Sequence, residues 1–249
     1  RRALDMIRDG FFSSGDDISL QWGPRAVKEG AFAVDNSAAF RMSDTHSLVV
    51  PEVNGDVLPK PRHPQLIANP NCSTIQLVLA LAPLNRDFAI ESVHVASYQA
   101  VSGAGRAGQE ELALQLKTWT PSSAPAGAKT FPHPIALNCI PEIGGIQSNG
   151  FSSEEIKIIR ESKKILRDSN LRISAMTVRV PVWNSHSEVA WVRLKKNATR
   201  AQILTSLGSQ AGLKIDDEPT KHAYPLAAQV SGQDDVAVGR IHQDLDDPS

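Results

Sequence analysis

Cys72 opens the stretch with the clearest chemical potential. It lies in Asn69-Pro70-Asn71-Cys72-Ser73-Thr74, directly before the apolar run Ile75-Gln76-Leu77-Val78-Leu79-Ala80-Leu81. Pro70 biases Asn69 away from helical angles, so the chain turns there before a helix begins. Asn71 or Ser73 is suited to cap the first orphan amides of that helix, and the run as far as Leu84 is too apolar for a surface helix. A thiol at such a mouth faces unsatisfied N–H groups and the positive end of the helix dipole. Both favour a thiolate, the nucleophilic form of cysteine. The competing reading is a small residue packing a helix start, since unmodified cysteine often behaves as a buried hydrophobe.

A nucleophilic thiol needs an acid–base partner. Of the seven histidines, His186 has the most suggestive setting, in Arg179-Val180-Pro181-Val182-Trp183-Asn184-Ser185-His186-Ser187-Glu188. It falls in a turn between two strand-like runs. His63 belongs to a Pro-flanked loop expected to be solvated, and His94 alternates on a strand as an ordinary satisfied sheet residue. Arg179 sits inside an otherwise apolar strand, where an unpaired guanidinium is costly, so a partner or an anionic ligand is expected there. Arg41 ends the uncharged loop Asn36–Met42 and is either an anion ligand or a plain surface arginine. Glu161 and Lys164, three apart, share one helix face, an arrangement that commonly marks a solvated pair.

The elements that must position these groups read as α/β. Phe11–Gly15 is a strand end turning at Ser13-Ser14-Gly15. A helix is expected over Ile18–Glu29, then strands at Ala31–Asp35 and Leu48–Val50. This opening has the short-linked strand–helix–strand order of a doubly wound domain. Beyond the Cys72 helix, Ile90–Tyr98 alternates as a strand. Gln109–Lys117 and Glu154–Arg167 read as helices, the second opened by Ser152-Ser153. Arg172–Val182 and Glu188–Lys195 read as two strands, antiparallel to one another across the short turn Trp183–Ser187. Thr199–Gln210 reads as a surface helix, and Thr120–Lys129 as a Pro/Ala/Ser-rich loop.

Composition bounds the function classes. Lys and Arg total 26 against 27 for Asp and Glu, so bulk charge announces neither nucleic acid nor an anionic membrane surface. No apolar run is long enough to span a bilayer. Two cysteines, Cys72 and Cys139, make no disulfide framework, fit a reducing cytoplasmic setting, and have no zinc-type spacing with histidine. The segment Gly103-Ala104-Gly105-Arg106-Ala107-Gly108 matches a dinucleotide fingerprint, but the acidic residue expected about 20 positions on is missing. A mobile glycine loop allowing close approach of a ligand to the backbone is the preferred reading.

Taken together, the motifs resemble bacterial-type aspartate-β-semialdehyde dehydrogenases. The resemblance runs through Val34–Met42, Val49–Asn54, Asn69–Thr74, Ser97–Gly105, Arg179–Val182 and His186–Glu188 in that order. It implies a remnant of a Rossmann-like dinucleotide-binding domain over residues 1–68. Residues 69–249 would then form a catalytic and dimerisation domain with a mixed, largely antiparallel sheet, similar to the C-terminal domain of glyceraldehyde-3-phosphate dehydrogenases. The implied reaction is NADP-dependent reductive dephosphorylation of L-aspartyl 4-phosphate through a cysteine thioacyl intermediate. It would feed lysine, threonine, methionine and diaminopimelate biosynthesis. By position, Cys72 matches the nucleophile, His186 the general acid/base and Gln99 the residue orienting the substrate. Arg179 and Glu161 match the groups holding the substrate's carboxylate and amine. Arg41 and Lys164 match the phosphate pair, with Asn71 beside the thiol. Ser102 and Gly103 match the loop by the nicotinamide, and Ser13 and Gly15 a turn near the dinucleotide. A cytoplasmic homodimer with no metal, nucleic acid or membrane partner is implied.

Three departures qualify the resemblance. The family's N-terminal glycine-rich phosphate loop and its C-terminal return segment are not in this sequence, so this polypeptide is expected to bind NADP(H) poorly. Ser185 stands where the family usually has glycine. The alternatives are an N-acetylglutamyl-phosphate reductase relative, which usually has glycine at the place of Asn71, a Cys–His thiol hydrolase, and a non-catalytic association fragment.

Overall fold

A computed structural model describes residues 9–58, 63–123 and 125–247. The opening run before Asp9, Pro61 and Arg62 of the His63 loop, Ala124 of the Pro-rich loop and the last two residues lie outside the described residues. In chain order the elements are β1 (Asp9–Phe12), α1 (Asp16–Lys28), β2 (Phe32–Asp35), β3 (Ser47–Leu48), α2 (Pro51–Asn54), β4 (Gln65–Ala68) and α3 (Cys72–Phe88). Then follow β5 (Ile90–Gln99), α4 (Gly105–Thr118), α5 (Ser153–Ile165), β6 (Arg172–Arg179), β7 (Ser187–Leu194), α6 (Arg200–Gly208), β8 (Leu213–Ile215), α7 (Ala227–Val230) and β9 (Val236–Val238). The chain divides into two compact units, one made of residues 1–82 and 160–170, the other of residues 83–159 and 171–249.

The first unit is a parallel sheet in the order β1-β2-β4-β3. β1, β2 and β4 run in register, so Phe12, Asp35 and Ala68 line up at their carboxyl ends. Helix α1 packs on this sheet through a face of small residues, Ser19, Gly23 and Ala26. A methyl group on Gly23 would come 2.5 Å from Leu66 Cδ1, which shows how closely helix and strand approach. Asp35 is fully buried. Its Oδ1 accepts from Ser19 Oγ at 2.6 Å and from the Ser37 amide at 3.1 Å, and its Oδ2 from Ser37 Oγ at 2.8 Å. The carboxylate ties α1 to the turn leaving β2, so that turn leaves the strand in one conformation.

In the second unit β5 is the central strand of the order β6-β5-β7. It pairs parallel with β6 and antiparallel with β7. This corrects the hairpin expected across residues 183–187: β6 and β7 are not neighbours but flank β5. The link between them therefore crosses the end of β5. Two main-chain bonds fix the crossing, Val180 N–H to Gln99 O at 3.0 Å and Val101 N–H to Val182 O at 2.9 Å. Both strands are rich in β-branched residues, and the sequence pattern does not distinguish a hairpin from a crossing of a third strand.

The glycine segment also differs from expectation. It is a short 3₁₀ turn, Val101–Ala104, running straight into α4, and not a loop. Gly108 lies inside α4, where a β-carbon would be 2.6 Å from Val101 O and 3.0 Å from Phe131. Gly108 serves close packing, while Gly105, with φ 70 and open space around it, serves the bend from the turn into the helix. Val101, Leu112, Phe131, Ile135, Ala136 and Ile140 form the buried cluster beneath this turn. α5 begins with a reciprocal cap: Glu155 N–H donates to Ser152 Oγ at 3.3 Å, and the Ser152 amide donates to Glu155 Oε2 at 2.7 Å. Glu155 Oε1 accepts from the Thr177 amide at 3.0 Å, tying the helix start to the inner face of β6. His94 is a sheet residue as expected, paired with Ser174 and Trp191 on the exposed outer face of β5.

These contacts make Gly108 a test of packing against propensity. An exposed helical glycine replaced by alanine gains about 1 kcal/mol. Here the added methyl meets a backbone carbonyl, and Gly108→Ala is expected to lower stability by about 1–3 kcal/mol instead. Urea unfolding of the two proteins gives the sign directly.

Candidate functional site

In the first unit the singled-out residues gather at the carboxyl ends of the parallel strands, where ligands of open α/β sheets bind. Ser13 and Gly15 follow β1, Arg41 lies in the segment after β2, and Asn71 and Cys72 follow β4. Gly15 has φ 99, a conformation suited to glycine, and lets the chain turn from strand to helix. Ser13 Oγ accepts from Asn36 Nδ2 at 3.3 Å, joining the first two strand ends.

Cys72 is the first residue of α3 and is exposed, while Leu77, Val78, Leu79 and Leu81 behind it are buried. Of the two candidate caps, Asn71 is the one used. Its Oδ1 accepts from the amides of Ser73 at 3.0 Å and Thr74 at 3.3 Å. The Asn71 amide in turn donates to Glu161 Oε2 at 2.7 Å. Glu161 is buried and accepts from Arg41 Nη1 at 3.3 Å through its other oxygen. Arg41 also donates from Nε to Asn69 O and from Nη2 to Asn36 O, each at 2.9 Å. Arg41 is thus a buried tie between two strand ends, not the surface arginine weighed from sequence, and Glu161 is no solvated partner of Lys164.

Lys164 points back to the same segment. Its Nζ donates to the carbonyls of Arg41 at 2.8 Å, Ser43 at 2.7 Å and His46 at 3.3 Å. Its three N–H groups are therefore matched by three acceptors. Burial lowers its pKa, with Asp44 and Glu161 opposing. The sequence suggested a phosphate-facing pair in Arg41 and Lys164. The structure brings the two together through the Arg41 carbonyl, with Lys164 wrapping the turn that Arg41 occupies.

In the second unit another group collects at one end of the sheet. Gln99 and Arg179 are paired at the ends of β5 and β6, and His186 immediately precedes β7. Gln99 is buried, with Nε2 donating to Ser97 Oγ at 3.3 Å. Arg179 is buried, donates from Nη1 to Ala100 O at 2.7 Å, and places its guanidinium 5.9 Å from the centre of the Phe131 ring. Its backbone makes a two-way bridge with Ile140. The charge on the apolar strand is thereby held by a carbonyl and an aromatic face.

His186 Nδ1 accepts from the Ala100 amide at 3.0 Å. Its pKa is pushed down to about 4 by burial first and the Arg179 charge second, with Glu154 pulling the other way. Gly103 sits between the two side chains: a β-carbon there would be 2.6 Å from Arg179 Nη1 and 3.2 Å from His186 Nε2. Ser102 Oγ reaches Asn184 Oδ1 at 3.5 Å, and Asn184 Nδ2 donates to Ser231 Oγ at 3.0 Å. Ser185 has φ 72, a left-handed conformation that favours glycine. Sequence reasoning missed Ala100 and Asn184, because the first acts only through its backbone and the second sat unremarked beside the histidine. Among the described residues no group of three or more His, Cys, Asp or Glu side chains is arranged to hold a metal ion, and no helix is long and apolar enough to cross a membrane.

Comparison with known proteins agrees across sequence and structure. Residues 3–60 match the family model for the semialdehyde dehydrogenase NAD binding domain, and residues 81–249 the model for the semialdehyde dehydrogenase dimerisation domain. The aspartate-semialdehyde dehydrogenase of Bacillus subtilis is 41% identical, the match covering 98% of this chain and 72% of the relative. That of Aquifex aeolicus is 40% identical, covering 94% and 68%. The crystal structure of aspartate semialdehyde dehydrogenase II from Vibrio cholerae superposes with a TM-score of 0.92 at 36% identity, covering 99% of this chain and 72% of that one. A second crystal structure of that enzyme, complexed with ASA, gives 0.91. This chain belongs to the aspartate-semialdehyde dehydrogenase family.

Proposed function

We propose that the chain carries the thioacyl chemistry of an NADP-dependent aspartate-semialdehyde dehydrogenase, converting L-aspartyl 4-phosphate to L-aspartate 4-semialdehyde in cytoplasmic amino-acid biosynthesis. The observation that supports this most directly is Cys72, exposed at the first residue of a helix whose body is buried, at the carboxyl end of a parallel strand. In this reading the Cys72 sulfur attacks the acyl carbon. A C–S bond forms, the C–O bond to phosphate breaks, and phosphate leaves with the electron pair. The nicotinamide dinucleotide supplies the two reducing electrons when bound. Collapse of the resulting thiohemiacetal returns the thiolate and frees the aldehyde.

Each remaining residue has an assigned task. His186 serves the proton and charge demands of the acyl oxygen and sulfur, and Gln99 orients the acyl group. Arg179 takes the substrate carboxylate, a bidentate task suited to guanidinium, and Glu161 its ammonium. Arg41 supplies the cation for the phosphate. Lys164 adds its charge while holding the Arg41 turn, and Asn71 sets the position of the thiol. For the dinucleotide, the exposed Ser13–Gly15 turn at a parallel strand end has the character of such a site, and Ser102 and Gly103 would lie by the nicotinamide. We assign residues 1–68 to the nucleotide-binding part and 69–249 to the catalytic and dimerisation part.

A homodimer through the outer face of the β6-β5-β7 sheet completes the proposal. Met176, Trp191, Val189 and Tyr98 are exposed there, and a 480 Å³ cavity is lined in part by His94, Met176, Trp191 and Phe151. Apolar surface of this kind commonly marks an interface.

Four measurements test these statements. Incubation with aspartyl 4-phosphate is expected to add an aspartyl mass to Cys72 and release one phosphate. Cys72→Ser should reduce the rate on the order of 10³-fold or more; an undiminished rate removes the nucleophile assignment. Trp191→Glu is expected to turn a sedimenting dimer into a monomer, and an unchanged species would place the interface elsewhere.

The fourth concerns pH. His186 has a folded pKa of about 4 against an ordinary 6.5. Between those values the unfolded chain binds the extra proton and the folded one does not. The associated stability is present above pH 6.5 and is lost as pH falls towards 4, by up to about 3 kcal/mol. Denaturant midpoints at pH 7.5 and 4.5 should differ less in His186→Gln than in the parent chain.

A further inference from the structure

Arg179, assigned above to the substrate carboxylate, has its guanidinium 5.9 Å from the centre of the Phe131 ring. We propose that Phe131, held in place by the buried Glu111 and Gln115 of α4, is a positioning residue that fixes the Arg179 guanidinium for that carboxylate. This deepens the thioacyl reading and rests on its assignment of Arg179.

Phe131 lies between α4 and α5, in a stretch with no helix or strand of its own. The buried main chain there must find partners elsewhere. Helix α4 supplies them. Glu111 Oε2 accepts from the amides of Lys129 at 3.1 Å and Thr130 at 2.5 Å, the two residues before Phe131. Glu111 Oε1 accepts from Gln115 Nε2 at 3.1 Å, and Gln115 Oε1 accepts from the Ala136 amide at 2.8 Å. Both side chains are buried. Three N–H groups converge on one carboxylate, and an ionised carboxylate is the side chain that only accepts. A glutamine at 111 would turn a donor against at least one of them. The last tie is the two-way main-chain bridge between Ile140 and Arg179 itself, at 2.9 and 2.8 Å. The stretch 129–140 is thus fastened at its start, its middle and its end.

The ring is wedged as well. A β-carbon on Gly108 would stand 3.0 Å from Phe131 Cζ, so α4 backs the ring closely while the guanidinium lies over it. Val101, Leu112 and Ile135 bury it with them. A planar cation is attracted to an aromatic face, and more strongly where water is excluded. The Ala100 carbonyl holds Nη1 at 2.7 Å, and the ring adds a restraint on the plane of the fork. An arginine oriented in advance loses less freedom when it grips a carboxylate. Glu111 thereby acts on substrate affinity through a main-chain stretch and a ring, without itself meeting the substrate.

Phe131→Leu keeps apolar volume and removes the ring face. Single-turnover acylation of Cys72, followed by phosphate release, reads a half-saturating concentration and a limiting rate without the dinucleotide. Phe131→Leu and Glu111→Gln are each expected to raise the half-saturating concentration of aspartyl 4-phosphate about 5-fold, with the limiting rate within about 2-fold of the parent. Neither should alter acylation by 3-aminopropanoyl phosphate, the same acyl phosphate without the α-carboxylate. In an Arg179→Gln background, itself weakened towards aspartyl 4-phosphate, Phe131→Leu should add nothing further. A fall in limiting rate alone, equal losses on the two acyl phosphates, or full additivity with Arg179→Gln makes Phe131 an ordinary packing residue and overturns the proposal. Should Glu111→Gln fail to fold, Gln115→Met cuts the Ala136 tie and is held to the same outcomes.

NMR of the Arg179 Nε–H, identified by its loss in Arg179→Gln, gives a readout that needs no turnover. The shielding by the ring is expected to vanish in Phe131→Leu and to weaken in Glu111→Gln; a signal unmoved in either variant overturns the link. If Arg179→Gln leaves the half-saturating concentration of aspartyl 4-phosphate unchanged, the carboxylate assignment of Arg179 fails instead. The NMR signal then still decides whether Glu111 and Phe131 set the position of the guanidinium.

Discussion

The main chain of Ala100 carries the constraint on which the catalytic end of the second unit depends. Its amide has one available role, donation, and it meets the imidazole of His186; its carbonyl accepts from Arg179 and from Gly103. Both side chains are anchored on the main chain of one residue, with the Phe131 ring lying beside the guanidinium. What holds them is the place where β5 ends and the chain bends into a 3₁₀ turn. That bend is fixed by the link between β6 and β7 crossing the strand end, and by the apolar cluster around Phe131 under α4. Glycines at 103 and 108 are needed because other side chains would fill the space that Arg179, His186 and the Val101 carbonyl occupy.

The first unit uses charge where the second uses backbone. Glu161 is buried, and its two oxygens divide between Arg41 and the Asn71 amide. Removing one partner would leave an uncompensated buried charge, so the arrangement holds together as a set. Its consequence is local and exact in register: Asn71 is fixed, and its side chain caps the amides of Ser73 and Thr74. The cap is a neutral amide oxygen. It satisfies orphan donors without bringing a negative charge that would oppose a thiolate at Cys72, as an aspartate cap would. Asparagine therefore combines two demands at that position, helix initiation and electrostatic tolerance of an anion next door.

Much of this was legible in the sequence. The alternation of Ile90–Tyr98, the β-branched run ending in Arg179, the turn before Cys72 and the Ser152 helix start all carry local signals, and each element forms close to where it is expected. Strand neighbours were not legible, because pairing is a long-range choice. The run 172–194 contains every sign of a hairpin, yet β5 takes both strands as partners, since a central strand buries its apolar alternation better between two neighbours than a two-stranded ribbon does. The glycine segment misled for a related reason. Glycine permits both looping and tight packing, and only the presence of Phe131 and Val101 against Gly108 decides between them.

The charged residues show the limit most clearly. Arg41 and Glu161 lie 120 positions apart and meet in one ion pair. Lys164, three residues from Glu161, turns to main-chain carbonyls of the Arg41 segment instead. Spacing on the helix gave Glu161 and Lys164 a common face but not a common partner. The two act on one segment from different directions, Glu161 on the Arg41 side chain and Lys164 on its backbone. A guanidinium held this way pays little conformational entropy when an anion arrives, because its torsions are already set. That preorganisation, and not the count of cations nearby, is what would suit Arg41 to the phosphate role proposed for it: a mobile lysine of the same charge would have to be ordered at the moment of binding.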